Sequence, residues 1–547
     1  MTISLYTVLT SPSRRRQPLA LPPREPHLLS SLYSTEKLRY PARASHHRIF
    51  GASVRPCVPA MLPSFSPAVT AAAMAPPPPK PIPGGYGAPV LGPLRDRLDY
   101  FWFQGPEEFF RRRAAQHRST VFRANIPPTF PFFVGINPRV IAIVDTAAFT
   151  ALFDPELVDK RDCLIGPYNP SDSFTGGTRV GVYLDTEEPE HERTKAFAMD
   201  LLRRSSRVWA PEFLEGVDGM LAAIESDLAA GKEGGASFLV PLQRCIFRFL
   251  CKSVASADPA AEGLVDRYGL FILDVWLGLQ LLPTQKVGAI PQPLEELLLH
   301  SFPFPSILAK PGYDLLYRFV AKHGAESVAV GVNDHGMSEK DAINNILFLL
   351  GFNAFGGFSV FLPFLILQIG KDAALRARLR DEVRAALDQH DGEVGFASVK
   401  GMPLVRSTVY EVLRMNPPVP LQFGRARRDF VLRSHGGEGF SVAGGEMLCG
   451  YQPLAMRDPE VFERPEEFVA DRFVGAGGEA LLRYVYWSNG PETGEPALGN
   501  KQCAAKDVVI ATACMLVAEL FRRYDDFECT GTAFTSLKKR PQPQPSS

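Results

Sequence analysis

A mainly α fold with a minor β region is what the sequence predicts, on three observations. Long stretches carry apolar residues at helical spacing, short β-rich pieces occur near the start of the folded part and again late, and no internal repeat is present. With 547 residues and 46% hydrophobic content, the chain can bury a sizeable core. Folding is expected to begin at about Tyr86, where "TVFRANI" and "FFVGI" read as paired strands around the turn "PPTFP". The following "NPRVIAIVDTAAFTALF" reads as helical. Helical periodicity then dominates in "HERTKAFAMDLLRRSSRVWAPEFLEGVDGMLAAIESDLAAG", "AEGLVDRYGLFILDVWLGLQLL", "YDLLYRFVAKHGAESVAVGV" and "AALRARLRDEVRAALDQH". The β-rich pieces return at "DFVLRS", "GFSV" and "MLCGYQPL". The expected organisation is a single domain over residues 86–530 and a disordered tail over 531–547.

Residues 1–75 are rich in Ser, Pro and Arg and hold only Glu25 and Glu36 as acids, the composition of a plastid transit segment; the bland alternative is an unstructured tail without an address. Met61 and Met74 are later candidate starts. A proline-rich hinge over residues 76–94 is expected to act as a stiff extended connector. Formal net charge is zero, which gives no signal for nucleic acid. The eight cysteines form no CxxC pair or regular framework, as in a reducing compartment. Oligomeric state leaves no mark in the sequence.

"ILFLLGFNAFGGFSVFLPFLIL" (Ile346 to Leu367) is long enough to span a bilayer, with Asn353 and Ser359 its clearly polar members. Its soluble-looking flanks and the breaks at Gly351, Gly356, Gly357 and Pro363 favour a buried central helix. A buried amide at Asn353 would then need a partner or a ligand.

"WSNGPETGEPALGNKQCAAKD" places Cys503 after a long Gly/Pro loop and before the apolar run "VVIATACMLVAELF". A cysteine at a helix N-terminus is favoured as thiolate. Without neighbouring Cys or His it cannot build a four-ligand zinc site, but it can be the single axial ligand of a haem. Upstream, Glu411 and Arg414 stand one helical turn apart in "STVYEVLRMNPPVP". Alone that spacing is weak, common on solvated helices.

Followed in order by "MRDPEVFERPEEFVADRF" and the Cys503 loop, this pattern resembles the cytochrome P-450 superfamily over nearly all of Pro81 to Cys529. The resemblance implies the cytochrome P-450-like haem-thiolate fold, haem b tied to Cys503, and a structural lock of Glu411 and Arg414 with Arg472. Departures from the superfamily pattern point further. Trp487 stands for the usual Phe, Lys501 for the usual Arg and Ala505 for the last Gly, while "GFNAFGG" lacks the acid and threonine that relay protons to bound dioxygen. Such a site suits a substrate that already contains an O–O bond.

"FRANIPPTFPFF", "GVYLDTEEPEH", "PQPLEELLLHSFPFPS" and "GFNAFGGFSVFLP" resemble the 13-hydroperoxide lyases of the plant branch shared with allene oxide synthases. Ser359, where the synthases commonly carry lysine, and the longer "PPTFPFF" turn favour the lyase. The resemblance implies cleavage of the 13-hydroperoxides of linolenic and linoleic acid through a hemiacetal to six-carbon aldehydes and a twelve-carbon oxo acid, without dioxygen or reductase. It also implies a plastid location, and the apolar substrate is compatible with loose association with a lipid surface. Asn353 is assigned to the distal side, hydrogen-bonding the hydroperoxide. Phe130, Phe132, Phe133 and Ser359 are candidates for the substrate pocket, against plain core for the phenylalanines. His191, Lys195 and Lys501 are candidates to face the haem propionates, against a solvated helix face for His191. The rivals are an allene oxide synthase, a non-catalytic haem-thiolate sensor, which would need an effector surface, and a reductase-dependent monooxygenase.

Overall fold

The computed structural model describes residues 78–541 apart from 129–132, 134, 232, 233 and 289. The transit-like segment, residues 1–75, lies outside them. In chain order the strands are β1 (Val121–Asn125), β2 (Arg139–Ile143), β3 (Val158–Asp159), β4 (Ala236–Ser237), β5 (Leu421–Ala426), β6 (Phe430–Arg433), β7 (Gly439–Val442), β8 (Met447–Tyr451), β9 (Tyr486–Trp487), β10 (Gly490–Pro491), β11 (Tyr524–Thr530) and β12 (Ala533–Lys539). The helices that frame the site are α1 (Leu91–Leu98), α2 (Pro189–Ala229), α3 (Leu239–Val254), α4 (Gly263–Leu281), α5 (Gln292–Leu299), α6 (Glu339–Gly370), α7 (Ala373–Asp388), α8 (Pro403–Met415) and α9 (Lys506–Arg523).

A five-stranded sheet runs in the order β1-β2-β8-β5-β3, with β2 parallel to β8 and the other pairs antiparallel. The partner of β1 is therefore β2, Val121 opposite Ile143, and not "FFVGI" as the sequence suggested. "RVIAI", taken for the start of a helix, is that strand. Its β-branched Val140, Ile141 and Ile143 are fully buried, and burial on both faces removes the alternation that marks a half-exposed strand. Helix starts only at Thr146, where the Asp145 carboxylate accepts from the Ala148 N–H at 2.7 Å.

Two boundaries also move. Residues 78–94 are not a free connector: the Lys80 N–H donates to the Gly439 carbonyl at 2.7 Å, the Ser441 N–H to Lys80 at 3.1 Å and the Arg123 N–H to Pro83 at 2.9 Å. Ile82 is buried between these contacts. Proline lacks a donor but keeps its carbonyl, so a Pro-rich segment can still line a strand edge. At the other end, residues 533–539 of the expected tail form β12, which pairs with β11 and β4.

The helical layer is built on α6, the segment long and apolar enough to cross a membrane by length and composition. Two thirds of its most apolar stretch is buried inside the fold, and it packs against α3, α8 and α9, so it is a core helix. Between Leu349 and Phe355 the helix widens to π spacing. Gly351 sits in that turn because a Cβ there would come within 2.8 Å of the Trp276 ring.

Candidate functional site

α6 and the loop before α9 face each other across a cavity of about 430 Å³, which Asn353 and Cys503 both line. That volume falls in the range of small-molecule sites. The cavity wall is largely apolar, with Phe249, Phe348, Leu349, Phe352, Phe358 and Phe361 among its residues. Phe348 and Phe352 stack with ring centroids 4.8 Å apart, and Trp276 meets both edge-on. This aromatic wall escaped the sequence reading, although its i, i+4 spacing immediately before Asn353 was the available signal.

Asn353 lies in the π turn. It is exposed rather than buried and lines the cavity, and its side-chain amide makes no hydrogen bond to a described residue. A buried amide satisfied by backbone is thereby ruled out. π-spaced turns inside α-helices are frequent at functional sites. No acid or threonine stands between Leu349 and Gly357.

The candidate pocket residues fare differently. Phe130 and Phe132 lie outside the described residues. Phe133 is buried with Ile165 and Tyr168, its ring 5.5 Å from that of Tyr168, and does not line the cavity; it is core, one layer behind Ile165, which does. Ser359 is also off the cavity. It is 2% exposed on another face of α6, with no partner for its hydroxyl oxygen, so the serine-for-lysine difference does not act by direct contact there.

Cys503 stands three residues before α9, at a loop whose Ala505 N–H bonds its sulfur. Burial nevertheless pushes the thiol above its ordinary range, with the Ala505 N–H and Lys195 pulling the other way. Desolvation of the anion thus opposes the partial charge of the helix end. A bound cation would reverse that balance.

A basic cluster lines the cavity beside the thiol. The Lys195 ammonium donates to the Gln502 carbonyl, and the Lys501 ammonium donates to the carbonyls of Gly181 at 2.8 Å and Leu184 at 2.7 Å. Burial lowers Lys501 to about 7. His191 is 3% exposed with Nδ1 unpartnered, and burial beside Lys501 and Lys195 takes it down to about 4. Lys160, which the sequence reading missed, joins them, lowered by burial to about 8. Asp185, an acid that acts on Lys160, Lys501 and His191, is already held by Arg427 and the Lys160 N–H. Three lysines short of counter-charge, Lys160, Lys195 and Lys501, with the neutral His191 ring beside them, form a seat for an anionic group.

Behind the thiol lies the lock the sequence predicted. Arg414 meets both oxygens of Glu411, at 2.7 and 2.9 Å, and Arg472 Nε bridges the same oxygens at 3.0 and 3.1 Å. The remaining guanidinium donors reach the carbonyls of Met456, Pro465, Glu463 and Glu467. All three side chains are buried.

One cysteine sulfur, an amide across an apolar cavity, and buried cations on one rim fit a planar cofactor with an iron and anionic side groups, and so define a haem-thiolate protein. The family model described as cytochrome P450, here written cytochrome P-450, matches residues 310–490. A linolenate hydroperoxide lyase from Arabidopsis thaliana is 53% identical over 445 residues, 81% of this chain and 90% of that protein. A fatty acid hydroperoxide lyase from Solanum lycopersicum is 48% identical over 460 residues, 84% and 96% of the two chains. Both are named chloroplastic. Allene oxide synthases follow, among them one from Oryza sativa at 45%. A solved zebrafish cytochrome P-450 with abiraterone shares the fold at 15% identity and a TM-score of 0.56, covering 78% of this chain and 92% of its own. The chain belongs to the cytochrome P-450 family, in the group of fatty acid hydroperoxide lyases and allene oxide synthases. Membership implies a thiolate-ligated haem.

Proposed function

We propose that this protein is a fatty acid hydroperoxide lyase, cleaving the 13-hydroperoxides of linolenic and linoleic acid to six-carbon aldehydes and a twelve-carbon oxo acid through a hemiacetal, without dioxygen or reductase. The observation that carries the reading is the amide of Asn353, without a side-chain partner among the described residues, across an apolar cavity from Cys503 on a helix turn that offers no acid or threonine. A site without a proton relay is poorly equipped to activate dioxygen.

Cys503 would hold the haem iron, with Lys195, Lys501 and His191 toward its propionates; His191 stays neutral and offers a ring N–H. When bound, the haem supplies an iron able to split an O–O bond. Asn353 donates its amide N–H to the hydroperoxide and orients it. The aromatic wall of Phe348 and Phe352 holds the unsaturated chain and excludes water, so that the fragments recombine within the cavity. The relatives' names favour the lyase over the synthase. Purified protein added to 13-hydroperoxylinolenate without reductant should bleach the diene absorbance and yield hexenal; ketols or a cyclopentenone would overturn the lyase reading in favour of the synthase.

We also place the protein in the plastid and against a lipid surface. α5 supports the second point because its polarity is inverted. Leu294, Leu297 and Leu298 are 49, 55 and 50% exposed, whereas Glu295 is buried on the N–H groups of Val287 and Gly288 and Glu296 pairs with Arg97 and His300. An outward apolar stripe normally marks a face covered by something apolar. The His300 ring is bonded to Gln285, which lines the cavity. The protein should float with phosphatidylcholine vesicles, and a Leu297→Glu, Leu298→Glu variant should not; equal flotation of both would refute this face.

A further inference from the structure

Glu492 is a buried acid that no role described so far uses. It follows the β9–β10 hairpin, in which Trp487 pairs with Gly490 and Tyr486 with Pro491, and its own N–H extends the ladder to the Val485 carbonyl at 2.7 Å. The side chain folds inward. One carboxylate oxygen accepts from the Tyr410 hydroxyl at 2.7 Å, the other from the indole N–H of Trp487. No Lys or Arg among the described residues forms an ion pair with it; Lys506, on its side of the loop, is bonded to Asp507 at 3.0 Å. Lys506 acts on Glu492 only through its charge, without a direct ion pair; burying an ionisable group so weakly paired is costly, and simple packing of the loop would be served as well by an apolar residue.

Its two partners explain what it connects. Trp487 lines the cavity together with Ser488, Asn489 and Cys503. Tyr410 belongs to α8 and immediately precedes Glu411 of the buried lock. The hairpin is also fastened to the residue beside the thiol: the Gln502 side-chain amide donates to the Pro491 carbonyl at 2.6 Å, and a Cβ on Gly490 would lie 2.7 Å from the Gln502 side chain. Glu492 is thus the bridge between the helix that carries the lock and an indole that lines the same cavity as the thiol.

We propose that Glu492 is a positioning residue of the haem site: its carboxylate, clamped by Tyr410, fixes the Trp487 indole against the Cys503 side of the cavity. The proposal rests on the thiolate-ligated haem. Only a carboxylate suits the place, because both partners present donors to it, and an amide would set its own N–H against one of them. Burial pushes the Glu492 carboxyl up, while the Tyr410 hydroxyl, the charge of Lys506 and the Trp487 indole N–H draw it down.

The test uses the haem-loaded protein and three variants, Glu492→Gln, Trp487→Phe and the two combined. Glu492→Gln is expected to shift the ferric Soret band and lower kcat about tenfold at unchanged KM. Trp487→Phe should shift the band in the same sense, and the combined variant should add nothing to it. An unmoved Soret band in Glu492→Gln, or effects that multiply in the combined variant, would overturn the proposal. Should Glu492→Gln fail to accumulate folded, Tyr410→Phe removes one donor and leaves the acid; a smaller shift in the same direction supports the clamp, and an unaltered band overturns it. The spectrum is recorded without substrate, so its outcome is separate from that of the peroxide assay.

Discussion

The two walls of the cavity are built on opposite plans. On the Cys503 side, Arg414 and Arg472 are bonded to Glu411, Gln502 to the Pro491 carbonyl, and Glu492 to Tyr410 and Trp487, until little donor capacity is left over. On the α6 side, Asn353 stands in a widened helical turn among phenylalanines, its side-chain amide without a hydrogen bond among the described residues. The contrast separates two tasks. A metal ligand must be held in one geometry, which favours saturated hydrogen bonding, whereas a residue meant to greet a substrate must keep its donors unspent.

That contrast is broken most severely by Arg414→Leu, which leaves Glu411 buried beside a single guanidinium; a loss of about 3–5 kcal/mol, read by denaturant unfolding, is expected. Cys503→Ser should keep the fold but abolish the haem-thiolate Soret signature and turnover, and an unaltered spectrum with full activity would remove the basis of the whole reading. On the opposite wall Asn353→Ala should leave haem content intact and lower turnover roughly 10–100-fold, the worth of one oriented hydrogen bond to a reacting group. At the rim, Lys195→Ala should weaken haem retention about tenfold, measured by transfer to apomyoglobin.

The smallest effect concerns Asp274 on α4, buried, bonded to Gln243 and pushed up by desolvation to about 7. Its folded form prefers the neutral acid. Stability is therefore greatest below the unfolded carboxyl range, falls as pH rises from about 4 to about 7, and levels off above. Asp274→Asn should remove that decline and raise the melting temperature at pH 8 by roughly 2–4 °C.

Much of this was legible in sequence because it is local. The long helices follow from periodicity, and the Glu411–Arg414 spacing and the Cys503 loop are contiguous motifs. What stayed hidden depends on distance along the chain. β2 read as helix because burial on both faces erased its alternation, and residues 533–539 read as tail because their partners are β11 beside them and β4 nearly three hundred residues earlier. Phe133 and Ser359 were assigned to the pocket by likeness of sequence, whereas the phase of a helix and one intervening side chain, Ile165, put both behind its wall. Glu492 gave no sign, since its meaning lies in Tyr410, eighty-two positions away.

The seating of Lys80 and Pro83 along Phe440 and Arg123 makes this segment part of the sheet borders. A truncation that removed residues 78–84 would strip that strap off. The carbonyl of Gly439 and the N–H groups of Ser441 and Arg123 would then lie bare, a raw β border of the kind that draws neighbouring molecules into aggregates.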